Sequence, residues 1–265
     1  MTSFSKKNNT YLANYEYDCS FEFPLIKVNN LDSIHNKDTV VAEFPLGLVI
    51  NGRYENTFLC SPYKLNELVI GYLCSRNLIS CKEDILKFEI DYDKKIAYVD
   101  INESIINHNE NILYLNDYDF LKTDPICNDT LKISASDIYK TMEYNLNLSQ
   151  LFKSTAGVHC ISIYGNNKLI IAREDVARHN ALDKAIGHCI LNDIPLNDKI
   201  IFVSGRLSFE MIKKTARVKA PIVVAKSAIT SLVIETAQKL NITLVGFVRG
   251  KKMNIYTNPH RILLK

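Results

Sequence analysis

Several absences narrow what this sequence can encode. No stretch approaches the ~18 uninterrupted apolar residues a transmembrane helix needs, and the opening Met1-Thr-Ser-Phe-Ser-Lys-Lys-Asn-Asn-Thr10 lacks the apolar stretch of a secretory signal. A cytosolic protein is expected. There is no Cys-x-x-Cys pair and none of the His-x-Glu plus Pro-Cys-x-x-Cys set of zinc deaminases, so no metal site is expected. Walker and dinucleotide fingerprints are missing, as are internal repeats and low-complexity tracts beyond Asn-rich segments that read as solvated loops. What remains is an ordinary globular composition: 265 residues, 47% apolar and 23% charged, long enough for a sizeable core.

Seven cysteines, an odd number spread along the chain, argue against a secreted disulfide framework. Cys60, Cys74, Cys160 and Cys189 lie in apolar runs and read as small core hydrophobes. Cys127 differs. Its segment, Lys122-Thr-Asp-Pro-Ile-Cys127-Asn-Asp-Thr-Leu-Lys132, is polar and reads as an exposed loop, which thiol chemistry requires. Lys122 and Lys132 favour the reactive thiolate, and Asp124 and Asp129 oppose it.

The net charge of +3 hides a split: residues 1–150 carry 14 Lys/Arg against 22 Asp/Glu, and residues 151–265 carry 18 against 7. A basic C-terminal part suits a polyanion, either nucleic acid or a phosphate-bearing ligand, or else the two parts attract each other.

The first twenty residues are polar and without period and read as a frayed terminus, with order beginning near Phe21. Two apolar stretches joined through Asn51-Gly52 predict a hairpin over 46–60. Ser61-Pro62 then reads as the N-cap and first position of a core helix carrying Leu65, Leu68, Val69, Tyr72 and Leu73. Strands are expected at 85–92, 96–101 and 112–115, and a helix at about 136–148. From Gly157 strands alternate with helices: strands at 158–164, 169–172, 200–203, 222–225, 243–248 and 253–256, with helices at about 176–191, 209–218 and 231–240. Two successive β–α–β steps imply parallel neighbours, with ligands at the strand ends.

Several motifs fall at those ends. Asp175, His179 and Asp183 share one face of a helix start, either as a capped helix with ordinary surface ion pairs or as a ligand-facing row. Ser204-Gly205-Arg206 offers backbone N–H groups and a guanidinium that can fork onto a phosphate. Lys226-Ser227 repeats the arrangement, and Gly246-Phe-Val-Arg249-Gly-Lys-Lys252 adds three cations. Together they describe a basic, glycine-containing rim. His159 and Cys160 should point to opposite faces of a strand, while His35, His108, His188 and His260 read as surface or turn residues.

Read in order, Ala42-Glu-Phe-Pro-Leu-Gly-Leu-Val-Ile-Asn51-Gly52, Glu67-Leu-Val-Ile-Gly71, Gly157-Val-His159, Arg173-Glu-Asp-Val-Ala-Arg-His-Asn-Ala-Leu-Asp-Lys184, Ser204-Gly-Arg206, Ser208-Phe-Glu210 and Gly246-Phe-Val-Arg-Gly250 through Asn254-Ile-Tyr256 resemble the FdhD family. These are sulfur carrier proteins required for formate dehydrogenase activity. The resemblance implies an α/β protein with a C-terminal cytidine-deaminase-like α/β/α domain and a smaller N-terminal β-rich (α+β) domain. The corresponding division is a flexible N-terminus over 1–20, a β-rich domain over 21–133 ending in the Cys127 loop, and a cofactor-binding domain over 134–265.

The resemblance further implies a cytoplasmic, homodimeric sulfurtransferase. It accepts sulfur from a cysteine desulfurase as a persulfide on Cys127. It passes that sulfur to the molybdenum (or tungsten) bis(molybdopterin guanine dinucleotide) cofactor before insertion into formate dehydrogenase, with GDP as a partial mimic of the ligand. Carried over by residue, Phe247, Val248, Arg249, Gly250, Lys251 and Lys252 bind the cofactor. Ser204, Gly205, Arg206, His179 and Ser227 contact phosphate or guanine. Family members carry a Cys-Gly-x-Cys-Gly loop; here Cys127-Asn-Asp-Thr130-Leu keeps only the first cysteine and neither glycine. One thiolate still anchors a persulfide, but relay between two loop cysteines is lost and the loop should be stiffer. The alternatives are a non-catalytic chaperone that binds and delivers the cofactor and a nucleic-acid binder, for which aromatic interleaving is thin.

Overall fold

A computed structural model describes residues 6–7, 16–102 and 124–264. Strands β1 (Lys6–Lys7) and β2 (Glu16–Tyr17) pair with each other, and β3 (Ser20–Asn29) and β4 (Asp32–Val41) form a long exposed hairpin. Order starts before Phe21: Tyr17 is buried against Phe44, its ring 5.0 Å away.

β5 (Phe44–Ile50) and β6 (Arg53–Cys60) are the predicted hairpin. Asn51 and Gly52 both take positive φ, +47° and +76°, the tight-turn geometry that Asn-Gly favours. With β7 (Ile85–Asp91) and β8 (Ile96–Ile101) they build a four-stranded sheet in the order β6-β5-β8-β7. The strand expected at 112–115 lies outside the described residues, as does His108.

Helix α1 (Leu65–Ser75) starts later than Ser61-Pro62 predicts, from Lys64, which has φ +52° and no side-chain cap. Ser61 is taken up elsewhere. Its N–H donates to Asp175, its Oγ accepts from the N–H of Val176, and its carbonyl accepts from Lys184.

The rest of the chain runs β9 (Ile133–Ser134), α2 (Ala135–Leu148), α3 (Gln150–Thr155), β10 (His159–Gly165), β11 (Lys168–Asp175), α4 (Arg178–Leu191), β12 (Ile200–Val203), α5 (Phe209–Arg217), β13 (Ile222–Ala225), α6 (Ser231–Lys239), β14 (Thr243–Arg249), β15 (Lys252–Thr257) and β16 (Ile262–Leu263). A six-stranded sheet has the order β11-β10-β12-β13-β14-β15, with β12, β13 and β14 parallel as the β–α–β pattern requires. Alternation along its strands separates two cores. Ile201, Val203, Val223 and Leu244 pack with α4, α5 and α6, while Ile200, Phe202, Ile222 and Val224 pack with Ile138 and Met142 of α2.

The first core continues through α1 into Phe44, Leu46 and Leu48 of the four-stranded sheet. At the crossing of α1 with α4 the backbones nearly touch. A Cβ at Gly71 would stand 1.8 Å from the carbonyl oxygen of Asp183, and one at Gly187 would stand 1.9 Å from that of Glu67. Only glycine permits this approach.

Asp175 and Asp183, two of the three residues in the row, are neither surface ion pairs nor open to a ligand. Asp175 and Lys184 are fully buried and paired at 2.6 Å, with the Lys184 ammonium 4.2 Å from the Tyr63 ring centre. Asp183, also buried, holds Lys214 and the Ser75 hydroxyl. Glu67 takes a two-pronged contact from Arg173, and His188 is not a simple surface residue: its Nδ1 lies 3.1 Å from Glu67.

Candidate functional site

The parallel strands end at Ser204, Lys226 and a bulge at Phe247, whose φ is +53°. Between these ends, α2 and the start of β10 lies a cavity of about 390 Å³. Its lining includes the predicted Ser204, Gly205, Arg206 and Ser227, with Lys226 beside them. Arg178, Arg206 and Lys226 are the cations of this lining, and none forms an ion pair with a described residue. The Ser204 hydroxyl already accepts the N–H of Cys160 at 2.9 Å, which ties β10 to the end of β12.

Gly205 is pressed against His159. A Cβ there would stand 3.0 Å from Nδ1 and 3.8 Å from the Cδ of Arg178, so three cavity residues converge on the point where the chain leaves β12. Burial and the Arg178 charge hold the His159 imidazole below its usual range, and it is neutral at pH 7. His159 and Cys160 both contribute to the lining.

The remaining predicted contacts stand around this cavity rather than in it. Phe247 is tied to Ser227 by an N–H···O bond of 3.2 Å, and the hairpin turn carrying Arg249, Gly250, Lys251 and Lys252 projects exposed beyond it, while Val248 is buried in the second core. His179 is outside the lining; burial and the charges of Arg178 and Lys214 push its imidazole down to about 4.

Cys127 is exposed, as the sequence suggests. Its neighbours are fastened. The N–H of Ile126 donates to the carbonyl of Leu240, Asn241 Nδ2 donates to that of Ile126, and Asn128 Nδ2 to that of Asn197. Buried Arg261 donates to the carbonyls of Asn128 and Asn241, to Thr243 Oγ1 and to the carboxylate of Asp129. These anchors precede β12 and β14, whereas the cavity follows them. The length of the parallel strands, about 13 Å for the four-residue β12 and β13, therefore separates Cys127 from the cavity. Asp129 and Lys132 are engaged with Arg261, His260 and the His260 carbonyl.

Five of the other six thiols are poorly suited to reaction. Burial pushes Cys60, Cys160 and Cys189 up to about 12 and Cys74 to about 11, and exposed Cys81 is also raised. No group of three or more His, Cys, Asp or Glu side chains among the described residues could hold a metal ion.

The model of the FdhD/NarQ family matches residues 41–263. The chain belongs to this family. It is 42% identical over 240 residues to a sulfur carrier protein FdhD of Bacillus pumilus, covering 85% of this chain and 90% of that one. It is 37% identical over 241 residues to one of Bacillus subtilis, covering 85% and 91%. A crystal structure described as a formate dehydrogenase accessory protein, from Desulfotalea psychrophila, shares the fold with TM-score 0.77 at 23% identity, over 93% of this chain and all of that one. For an FdhD/NarQ chain, the run Arg173–Lys184 is thus explained as scaffold: most of its charges are consumed inside the protein. Arg178 is the exception, and with Asn145, Ser149 and Phe152 it lines the cavity without having been singled out from the sequence. Asn145 in particular sits in a polar helix whose pattern gives no sign of which residue turns inward.

Proposed function

We propose that this FdhD/NarQ protein is a sulfur carrier, a sulfurtransferase that holds sulfur as a persulfide on Cys127 and passes it to the molybdenum or tungsten bis(guanine dinucleotide) cofactor of formate dehydrogenase. The observation that carries this reading is Cys127: an exposed thiol on a segment fastened by a buried arginine, in a chain whose other exposed cysteine, Cys81, is raised in pKa. The names borne by its relatives agree.

In the loading step the Cys127 thiolate attacks the outer sulfur of a persulfide on a cysteine desulfurase. A new S–S bond forms, the donor's S–S bond breaks and the donor cysteine leaves as thiolate, so no oxidant is consumed. The cavity takes one guanine-nucleotide end of the cofactor, with Arg206, Arg178 and Lys226 meeting phosphate oxygens and the Arg249–Lys252 turn adding charge at its edge. The protein works in the cytoplasm as a homodimer, on a cytidine-deaminase-like sheet without the deaminase metal.

Because Cys127 and the cavity stand at opposite ends of the parallel strands, delivery within one chain requires the 124–132 segment to leave its anchors. The same separation favours a second reading, a chaperone that binds the cofactor while sulfur travels by another route. Incubation with desulfurase, cysteine and labelled sulfur, followed by peptide mapping, distinguishes them: label on Cys127 is expected of the carrier. Binding of GDP with no label on Cys127 means the chaperone.

A further inference from the structure

Two residues of the cavity lining carry a buried nitrogen that no described residue satisfies: Asn145 Nδ2 and Arg178 Nε. Asn145 is only 5% exposed. Its Oδ1 accepts the Tyr164 hydroxyl at 2.9 Å, an interaction made in the interior between α2 and β10. A buried donor is costly to leave without an acceptor, so the ligand of this cavity presents an oxygen there.

Tyr164 determines which end of the amide faces inward. Its ring packs edge-on against Phe202, 5.2 Å between centres, and burial pushes the phenol up to about 12, so the hydroxyl keeps its proton. Donating that proton to Oδ1 leaves the NH₂ as the end of the amide without a partner. The reverse orientation would strand a buried hydroxyl hydrogen. Leu146, Val158 and Phe152 supply apolar wall for a flat ring, while the cations lie toward the strand ends.

We propose that Asn145 is the base-reading residue of this cavity, donating from Nδ2 to the exocyclic carbonyl of a 6-oxopurine, with Tyr164 as the positioning residue that fixes the amide. The inference rests on the reading of the cavity as a guanine-nucleotide site. A 6-aminopurine brings a donor to a donor and is rejected.

The test is titration calorimetry of the full chain with GDP, IDP and ADP. The parent protein should bind GDP and IDP at least about tenfold more tightly than ADP, IDP being included because it keeps the carbonyl and lacks the 2-amino group. In Asn145→Ala the preference should collapse to within about twofold through loss of GDP and IDP affinity. In the isosteric Asn145→Asp it should reverse toward ADP, and in Tyr164→Phe it should shrink while GDP still binds. Unchanged circular dichroism and sulfur labelling of Cys127 show that each variant is folded. A guanine preference that survives Asn145→Ala and Asn145→Asp overturns the proposal alone. A parent protein with no preference for GDP over ADP overturns it together with the guanine-nucleotide reading.

Discussion

Arg261 Nε donates to the backbone carbonyl of Asn128 at 2.8 Å, so a buried guanidinium near the end of the chain holds the residue next to Cys127. Beside the bonds from Leu240, Asn241 and Asn197, the Cys127 segment is thus fastened by a side chain that also grips Asn241, Thr243 and Asp129. Arg261→Ala should unfasten the loop and raise the alkylation rate of Cys127 by about tenfold, through loss of hydrogen bonds made by a charged group. GDP binding should stay unchanged. Timed iodoacetamide labelling with calorimetry checks both.

Lys184→Met leaves the Asp175 carboxylate unpaired at the junction of Ser61, Val176 and Asn180. Breaking a buried pair in this way should cost about 3–5 kcal/mol, measured by urea denaturation. Adding Asp175→Asn to the same variant should restore part of that loss, because no buried charge is then left alone.

Gly187→Ala puts a methyl group into the Glu67 carbonyl, which belongs to a helix backbone and cannot swing aside. Separation of α1 from α4 should lower stability by more than about 3 kcal/mol or leave the protein insoluble. Gly52→Ala tests the contrast: its site is open and only the positive φ is strained, so the cost should be about 1 kcal/mol.

The cavity should take up protons as it binds phosphate. His159 is held neutral by burial and by Arg178, and an anion beside it offsets both effects and raises its pKa on binding. GDP affinity should therefore increase as pH falls from 8 toward about 6, with proton uptake detectable by calorimetry in buffers of different ionisation enthalpy. His159→Gln should flatten the profile. His179 acts on stability with a definite sign: its folded pKa near 4 lies below the usual 6.5, so the unfolded chain binds the extra proton and stability falls as pH drops from 6.5 toward 4. His179→Gln should remove that part of the decline.

Local chemistry made much of the fold legible. Asn51-Gly52 marked the turn between β5 and β6, and the uninterrupted apolar runs at 200–203 and 222–225 marked parallel strands buried on both faces. Clustering of Ser204, Arg206 and Ser227 followed from the rule that such sheets bind ligands at strand ends. What stayed hidden depended on distant partners. Ser61 resembles a helix cap, but its polar groups are claimed by Asp175, Val176 and Lys184, more than a hundred residues away in sequence. The Cys127 loop was readable as exposed, yet which end of the sheet it joins is decided by Leu240, Asn241 and Arg261.

Sulfur transfer by this protein depends on one atom, the Sγ of Cys127. The direct measurement is formate dehydrogenase activity in cells whose own carrier has been deleted, supplied with the parent protein or with Cys127→Ser at equal expression. Active dehydrogenase is expected with the parent and background activity with Cys127→Ser, while the variant still binds GDP. Equal activity with both would contradict sulfur transfer through Cys127.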